Sequence, residues 1–466
     1  MDMPLGFHRQ HTACALRRCD LGPCPQPRPR ATAVGAALGR LAARSAAIAC
    51  GLLIGMAAAA PAPAWAQQLP LGSQLQGLLD HARAQSPELG AMRHEAEAAT
   101  QRVAPAGALP DPVLRVELMN VTNYGSSAAP NLLPARVGET RYTLMQSLPL
   151  WGKRALRRDA AAADASQAGA RVDAGWVELA SRIKATYAET YRVAGNERLV
   201  GEVLALMQRL EQVAQVRYAG GLVGQSDAIR AQLEQTSLRT ELILLDSEKR
   251  QQRARLNALL ARDGAAPLAD PQDLRALPAL APADAVALAE RARARNPQLA
   301  AELARLAGAQ SGHELALRNR YPDLTVGIAP SQLRNRVTSW SLMVELSIPL
   351  QQATRRSQER EAGAMVAAAR SRADALQQQL LGELGVGLAG IDAARRSQAL
   401  VTTQLLPQSE LGLQSALAGY ENGKAEFALV LDAQRQIRKA RQELLKAQVD
   451  AQLRLAEIER ILGEDL

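Results

Sequence analysis

Cysteine is confined to the first fifty residues of the 466-residue chain, as Cys14, Cys19, Cys24 and Cys50. The rest of the chain can hold neither a disulfide framework nor a thiolate metal site. Aromatic residues are scarce at 3%, and Ala and Leu dominate the 47% apolar fraction. So few large side chains exclude a broad globular core and favour slim helices packed side by side. Beyond residue 66 no apolar run approaches the roughly 18 residues of a membrane-spanning helix. If this chain enters a membrane, it does so through strands.

Catalytic motifs are equally scarce. GYENGKA at 419–425 has the wrong spacing for a phosphate loop and lacks the hydroxyl residue after Lys424. There is no HExxH, and His81, His94 and His313 stand far apart. The methionines past residue 66 are scattered singly and read as packing. Acidic and basic residues alternate along helical stretches and read as solvated i,i+4 partners. The expectation is a protein without enzymatic activity and without a cofactor.

What is present begins with a secretory pattern. Arg40 and Arg44 precede the apolar run Ala46 to Ala60, and PAPAWA ends in the small-residue pattern Ala64-Trp65-Ala66. Residues 1–66 are therefore read as an N-terminal extension plus signal peptide, cleaved before Gln67. RRCDLGPCPQPRPR ahead of it suggests a start codon placed too early. A lipid-anchored Cys50 is the alternative. Removing the leader leaves 48 basic and 44 acidic residues, so the formal charge falls from +9 to +4. That balance, with no basic stripe, argues against a nucleic-acid partner.

The remainder is written twice. ARAQSPEL at 82–89 returns as ARARNPQL at 292–299, and PDPVLRVEL at 110–118 has a looser partner in YPDLTVGI at 321–328. Pro149 of LPLWGKR answers Pro349 of LSIPL, and YAGGLVGQSDAIRAQ at 218–232 answers YENGKAEFALVLDAQ at 420–434. A tandem duplication follows, with repeats at 67–280 and 281–466. Each repeat reads helix, strand, strand, long helix, tight turn, helix. Ser86-Pro87 and Asn296-Pro297 are N-cap and N1 signatures for helices over about 86–105 and 296–318.

The strands alternate with period two, each about 10 to 12 residues, long enough to cross an outer membrane when tilted. Leu114, Val116 and Leu118 share one face, Arg115 and Glu117 the other. Trp340, Leu342, Val344, Leu346 and Ile348 oppose Ser341, Met343, Glu345 and Ser347. Pro149 and Pro349 end the strands because they have no N–H for a ladder. Gly152 permits the change of direction, and Trp151 suits a membrane–water boundary. A proline-free tract from Gly152 to about Tyr218 gives a helix of roughly 100 Å, and the tract from about Thr354 to Tyr420 is expected to match it. Helices over about 226–262 and 428–463 return.

In this order of elements, in QSLPLWGKR at 146–154 and in the paired tyrosine–glycine turns, the chain resembles the TolC-type outer-membrane efflux proteins. The resemblance implies a mostly helical α+β fold. It implies a homotrimer whose four strands per chain form a 12-stranded barrel in outer-membrane lipid, continued by a coiled-coil tunnel through the periplasm. Four strands cannot close a barrel, and open edges are not tolerated in lipid, so an oligomer is expected on physical grounds too. Partners implied are a periplasmic adaptor and an inner-membrane transporter of the resistance-nodulation-division type. LPLWGKR is most similar to members serving heavy-metal cation pumps, and drugs are the other cargo that the resemblance allows.

The resemblance places an acidic ring at the tunnel constriction, carried over to Asp432 of VLDA at 430–433, with Asp227 a candidate in the first repeat. Tyr218, Gly221, Leu222, Val223, Tyr420, Gly423 and Lys424 would form the tips that meet the adaptor. Pro149, Trp151, Gly152 and Pro349 would form the junction of barrel and helices. The alternatives are a periplasmic coiled-coil scaffold without a pore, and the duct of a type I secretion system.

Overall fold

The computed structural model describes residues 71–119, 121, 137–279, 284–333 and 336–466. The expected leader and all four cysteines lie outside them. Both halves of the described chain carry the same order of elements. In the first, α1 (Leu75–Gln85) and α2 (Pro87–Gly107) lead to β1 (Val113–Met119) and β2 (Glu139–Leu148). The long α3 (Lys153–Ala219) then returns as α4 (Gln225–Leu259). The second has α5 (Ala285–Arg295), α6 (Pro297–Arg318), β3 (Asp323–Leu333), β4 (Arg336–Ser347), α7 (Gln352–Leu400), α8 (Leu406–Glu421) and α9 (Phe427–Leu462).

Each half opens with two helices where one was expected, over about 86–105 and 296–318, so α1 and α5 are additions. Ser86 Oγ accepts from the Leu89 N–H at 3.4 Å, and Asn296 Oδ1 from the Leu299 N–H at 2.8 Å. The same Ser-Pro and Asn-Pro pairs that start α2 and α6 stop α1 and α5, because the residue before proline is pushed out of the helical region.

The long helices also differ. α3 runs 67 residues without interruption, about 100 Å. Its counterpart contains Pro407 and is not one regular helix. A π segment, Val401–Leu405, separates α7 from α8, and the Leu406 N–H bonds to the Val401 carbonyl. Proline at 407 has no N–H and its ring crowds the carbonyl four residues back, so the helix widens by one residue there.

The strands form one antiparallel sheet in the order β1-β2-β3-β4, leaving β1 and β4 as edges. β1 is shorter than expected, at 7 residues. The sheet is inside out relative to a soluble one. On β2 and β3, Leu144 and Ile328 are 47% and 48% exposed, while Thr143 and Ser331 on the opposite face are 5% and 1% exposed. Val344, Leu342 and Trp340 continue the apolar face onto β4, an edge strand that is exposed on both faces.

Helix packing falls into three clusters. Leu78, Leu89, Ile183 and Leu256 join α1 through α4. Leu288, Leu299, Leu384 and Ile458 do the same for α5, α6, α7 and α9. Val203, Met207, Leu238, Tyr420, Phe427 and Val430 join α3, α4, α8 and α9 toward the two hairpin turns. No described helix is long and apolar enough to cross a membrane.

Candidate functional site

The two helix turns are built alike. In the first, the Leu222 N–H bonds to the Arg217 carbonyl at 2.9 Å and the Gly221 N–H to Tyr218 at 2.9 Å. In the second, the Lys424 N–H bonds to Gly419 at 2.8 Å and the Gly423 N–H to Tyr420 at 3.0 Å. Gly221 and Gly423 have φ of 71° and 72°, the left-handed residue of a Schellman cap, where a side chain would be strained. Tyr218, Leu222 and Lys424 are exposed at these tips, and Val223 is half-buried.

Tyr420 is a correction. It was expected as a surface contact, yet it is 2% exposed and packs on Phe427 with ring centroids 5.4 Å apart. The reason is a residue the sequence reading missed. Arg217, in the last turn of α3, lies 4.8 Å from the centroid of the Tyr420 ring and donates to the Tyr420 carbonyl. Its counterpart in the second half is Gly419, which has no such arm. Burial first, and then the Asp227 carboxylate, push the Tyr420 hydroxyl above its usual range, with Arg217 acting against them. The hydroxyl has no hydrogen-bond partner in this conformation. Asp227, in the first turn of α4, thus faces the opposite hairpin.

Asp432 is exposed on the second turn of α9. It has a cation nearby that the sequence reading did not weigh. Arg435 feels the Asp432 charge and pairs with Glu234 of α4 at 2.7 Å.

At the other end, strands meet helices. Trp151 and Gly152 both adopt positive φ, 62° and 76°, reversing the chain between β2 and α3. The Trp151 ring stacks on Tyr321 at 4.9 Å, and its Nε1 donates to the Pro322 carbonyl at 3.0 Å. Lys153 is buried and donates to the Tyr321 carbonyl and to Asp323 Oδ1, each at 2.8 Å. The first long helix is thereby fastened to the start of β3. Pro149 and Pro349 stand just past the last residues of β2 and β4, and Leu350 beyond Pro349 is exposed.

Midway lies a buried ionic cluster where solvated pairs were expected. Glu459 of α9, 3% exposed, accepts from Lys184 Nζ of α3 at 2.7 Å and from both terminal nitrogens of Arg275 at 2.9 Å. Lys184 also pairs with Asp465, and the Leu466 N–H reaches Glu459 at 3.1 Å. α3, the segment between the halves and the C-terminal residues converge on one carboxylate. Spacing could not reveal this, because the partners are far apart in sequence. Among the described residues no group of three or more His, Cys, Asp or Glu could hold a metal ion.

Comparison with known proteins agrees with this architecture. The family model for outer membrane efflux proteins matches residues 78–262 and again 288–464. The cobalt-zinc-cadmium resistance protein CzcC of Cupriavidus metallidurans is 26% identical over 339 residues, 69% of this chain and 77% of that protein. Among solved structures, the outer-membrane channel OprN superposes with a TM-score of 0.70 at 18% identity, covering 84% of this chain and 89% of OprN. The outer membrane protein VceC from Vibrio cholerae gives 0.70 at 19% identity, covering 85% of this chain and 100% of VceC. A model matching most of the chain in two blocks, one in each half, is decisive: the chain belongs to the outer membrane efflux protein family, whose members are transport proteins of the outer membrane and not enzymes.

Proposed function

We propose that three copies of this chain form a passive exit duct, a 12-stranded barrel in the outer membrane continued by a helical tunnel in the periplasm. The observation that carries the reading is the sheet: its apolar face is exposed, and both edges, β1 and β4, are unpaired within one chain. The apolar face is unfavourable in water and suited to lipid, and the open edges are tolerated in lipid only when further strands close the sheet. Three copies supply twelve strands, an even number within the range of known barrels. The two family blocks support a duplicated unit, with repeats at 67–280 and 281–466.

In this reading Asp432, with Asp227 behind it, forms the periplasmic constriction. The tips at Tyr218 to Val223 and at Gly423 and Lys424 meet a periplasmic adaptor, which couples the duct to an inner-membrane transporter of the resistance-nodulation-division type. Trp151, with Tyr321 beside it, marks the membrane boundary. The similarity to CzcC supports heavy-metal cations as cargo. Energy comes from the partner transporter, and the duct itself is passive.

The test is fractionation. A trimer in detergent extracts of outer membranes, dissociating on heating, is expected. A soluble single-chain species in the periplasmic fraction overturns the duct in favour of the scaffold.

A further inference from the structure

The halves of this chain fix how one copy meets the next. Let Asp111 answer Asp323 and Pro149 answer Pro349. The observed pair Val113–Met145 then becomes Thr325–Glu345, and Glu117–Arg141 becomes Ala329–Ser341. Both are the pairs found in the second hairpin. The two hairpins therefore share one register, and residues can be carried between them position by position.

Within the chain the hairpins join through β2 and β3, where Met145 lies opposite Gly327, Leu144 opposite Ile328 and Gln146 opposite Val326. β4 and β1 are the counterparts of β2 and β3, and they are the two open edges. We infer that β4 pairs antiparallel with β1 of a second copy in that same register, placing Glu345 directly opposite Arg115 of the partner subunit. This rests on the duct reading and names the seam on which it depends.

Two properties of the side chains, neither used to derive the register, agree with it. Val344 falls opposite Val116 of the partner subunit, and Leu346 opposite Leu114 of the partner subunit, so the exposed apolar face continues across the seam. The charges also match. Glu345 has no ion-pair partner among the described residues, and Arg115 has Glu117 of its own strand at 3.8 Å. Opposite charges directly across an antiparallel pair attract, and like charges repel. A slip of two residues preserves the faces but loses this. One such slip sets Glu345 against Glu117 of the partner subunit; the other sets it against Val113 of the partner subunit. A one-residue slip would turn every side chain to the wrong face.

Disulfide trapping in the full-length protein tests the register, with Cys14, Cys19, Cys24 and Cys50 replaced by Ser. Residues 345 and 115 of one chain sit on opposite edges, three strand spacings or about 14 Å apart across the sheet and further along it, so a bond between them must join two copies. Under mild oxidation E345C/R115C should give covalent trimers on denaturing gels, at several times the yield of E345C/E117C or E345C/V113C. Independently, E345R and R115E should each lower the temperature at which the trimer dissociates, and the double exchange should recover most of the loss. A trimer by mass that cross-links best through either slipped pair overturns the register and leaves the duct intact. A trimer in which no pair cross-links places the seam elsewhere and overturns the inference. A monomer by mass overturns the duct itself.

Discussion

The Arg217 guanidinium covers the Tyr420 ring at 4.8 Å and donates to the Tyr420 carbonyl, so one side chain of the first helix hairpin holds the turn of the second. The two tips are coupled inside a single chain. They cannot move apart without breaking a cation–π contact and a charged hydrogen bond.

Arg217→Ala should release that coupling. The two interactions together are worth about 2 kcal/mol at a partly exposed site. Amide exchange in residues 418–424 should therefore accelerate about 30-fold, and single-channel conductance of the reconstituted duct should rise. Unchanged exchange would show that the tip is held by Phe427 packing alone.

At Asp432 the expectation is electrostatic. In the trimeric duct proposed above, three Asp432 carboxylates around a threefold axis at a narrow opening would focus a negative potential. Asp432→Ala should weaken cation selectivity and block by trivalent cations in planar bilayers, with assembly intact. Arg435→Ala should act oppositely and strengthen the block, because it removes the neighbouring cation. Asp227→Ala should matter less for selectivity, since that carboxylate faces Tyr420.

Val344 stands on the apolar face of β4 and is exposed. Val344→Arg should cost about 2–4 kcal/mol if it lies near the bilayer midplane. The readout is trimer yield in outer-membrane extracts. A normal yield would place this face away from lipid.

Glu459 is itself buried and pairs with the buried Lys184 and the partly exposed Arg275. Glu459→Ala leaves two cations without their shared partner and should cost about 3–5 kcal/mol, read as a lower unfolding midpoint by circular dichroism. Replacing Asp465, which is exposed, should cost far less.

Alkali should report on Tyr187. Its hydroxyl donates to the Ser73 and Asp273 carbonyls, at 3.0 and 3.1 Å. Burial, then the Asp273 charge, then Tyr191 push it up to about 12 from 10.0. The folded chain holds this proton more tightly than the unfolded chain does. The stabilisation is thus complete below pH 10 and lost as pH rises from 10 toward 12. Tyr187→Phe should remove roughly 1–2 kcal/mol of alkaline sensitivity in that window, measured as the difference in urea midpoint between pH 9 and pH 12. Identical slopes for both proteins would rule the linkage out.

Much of the fold was legible because it is local. Ser86 and Asn296 cap the helices that their Pro neighbours begin, Gly221 and Gly423 close the turns, and the period-two alternation marked β4 as a strand. The double writing of the chain made each half a check on the other. What sequence could not show depends on elements meeting across long separations. Tyr420 looked like a surface tyrosine until Arg217 was placed over it. Glu459 looked like one helix carboxylate among many, since Lys184 and Arg275 come from other elements. Pro407 was in plain view, and its effect is local.

The inside-out sheet also sets the order in which the molecule can be made. The helices satisfy their backbone groups within one chain and can form in water as soon as that chain is complete. The strands cannot, because two of their ladders and one whole face wait for something outside the chain. In the proposed duct, completion of the sheet is therefore a higher-order event, and its speed would depend on how many copies and how much lipid surface are at hand. A newly exported copy passes through an interval in which its helical part is finished and its sheet is adhesive. Scarcity of neighbours lengthens that interval, and with it the exposure to misassembly.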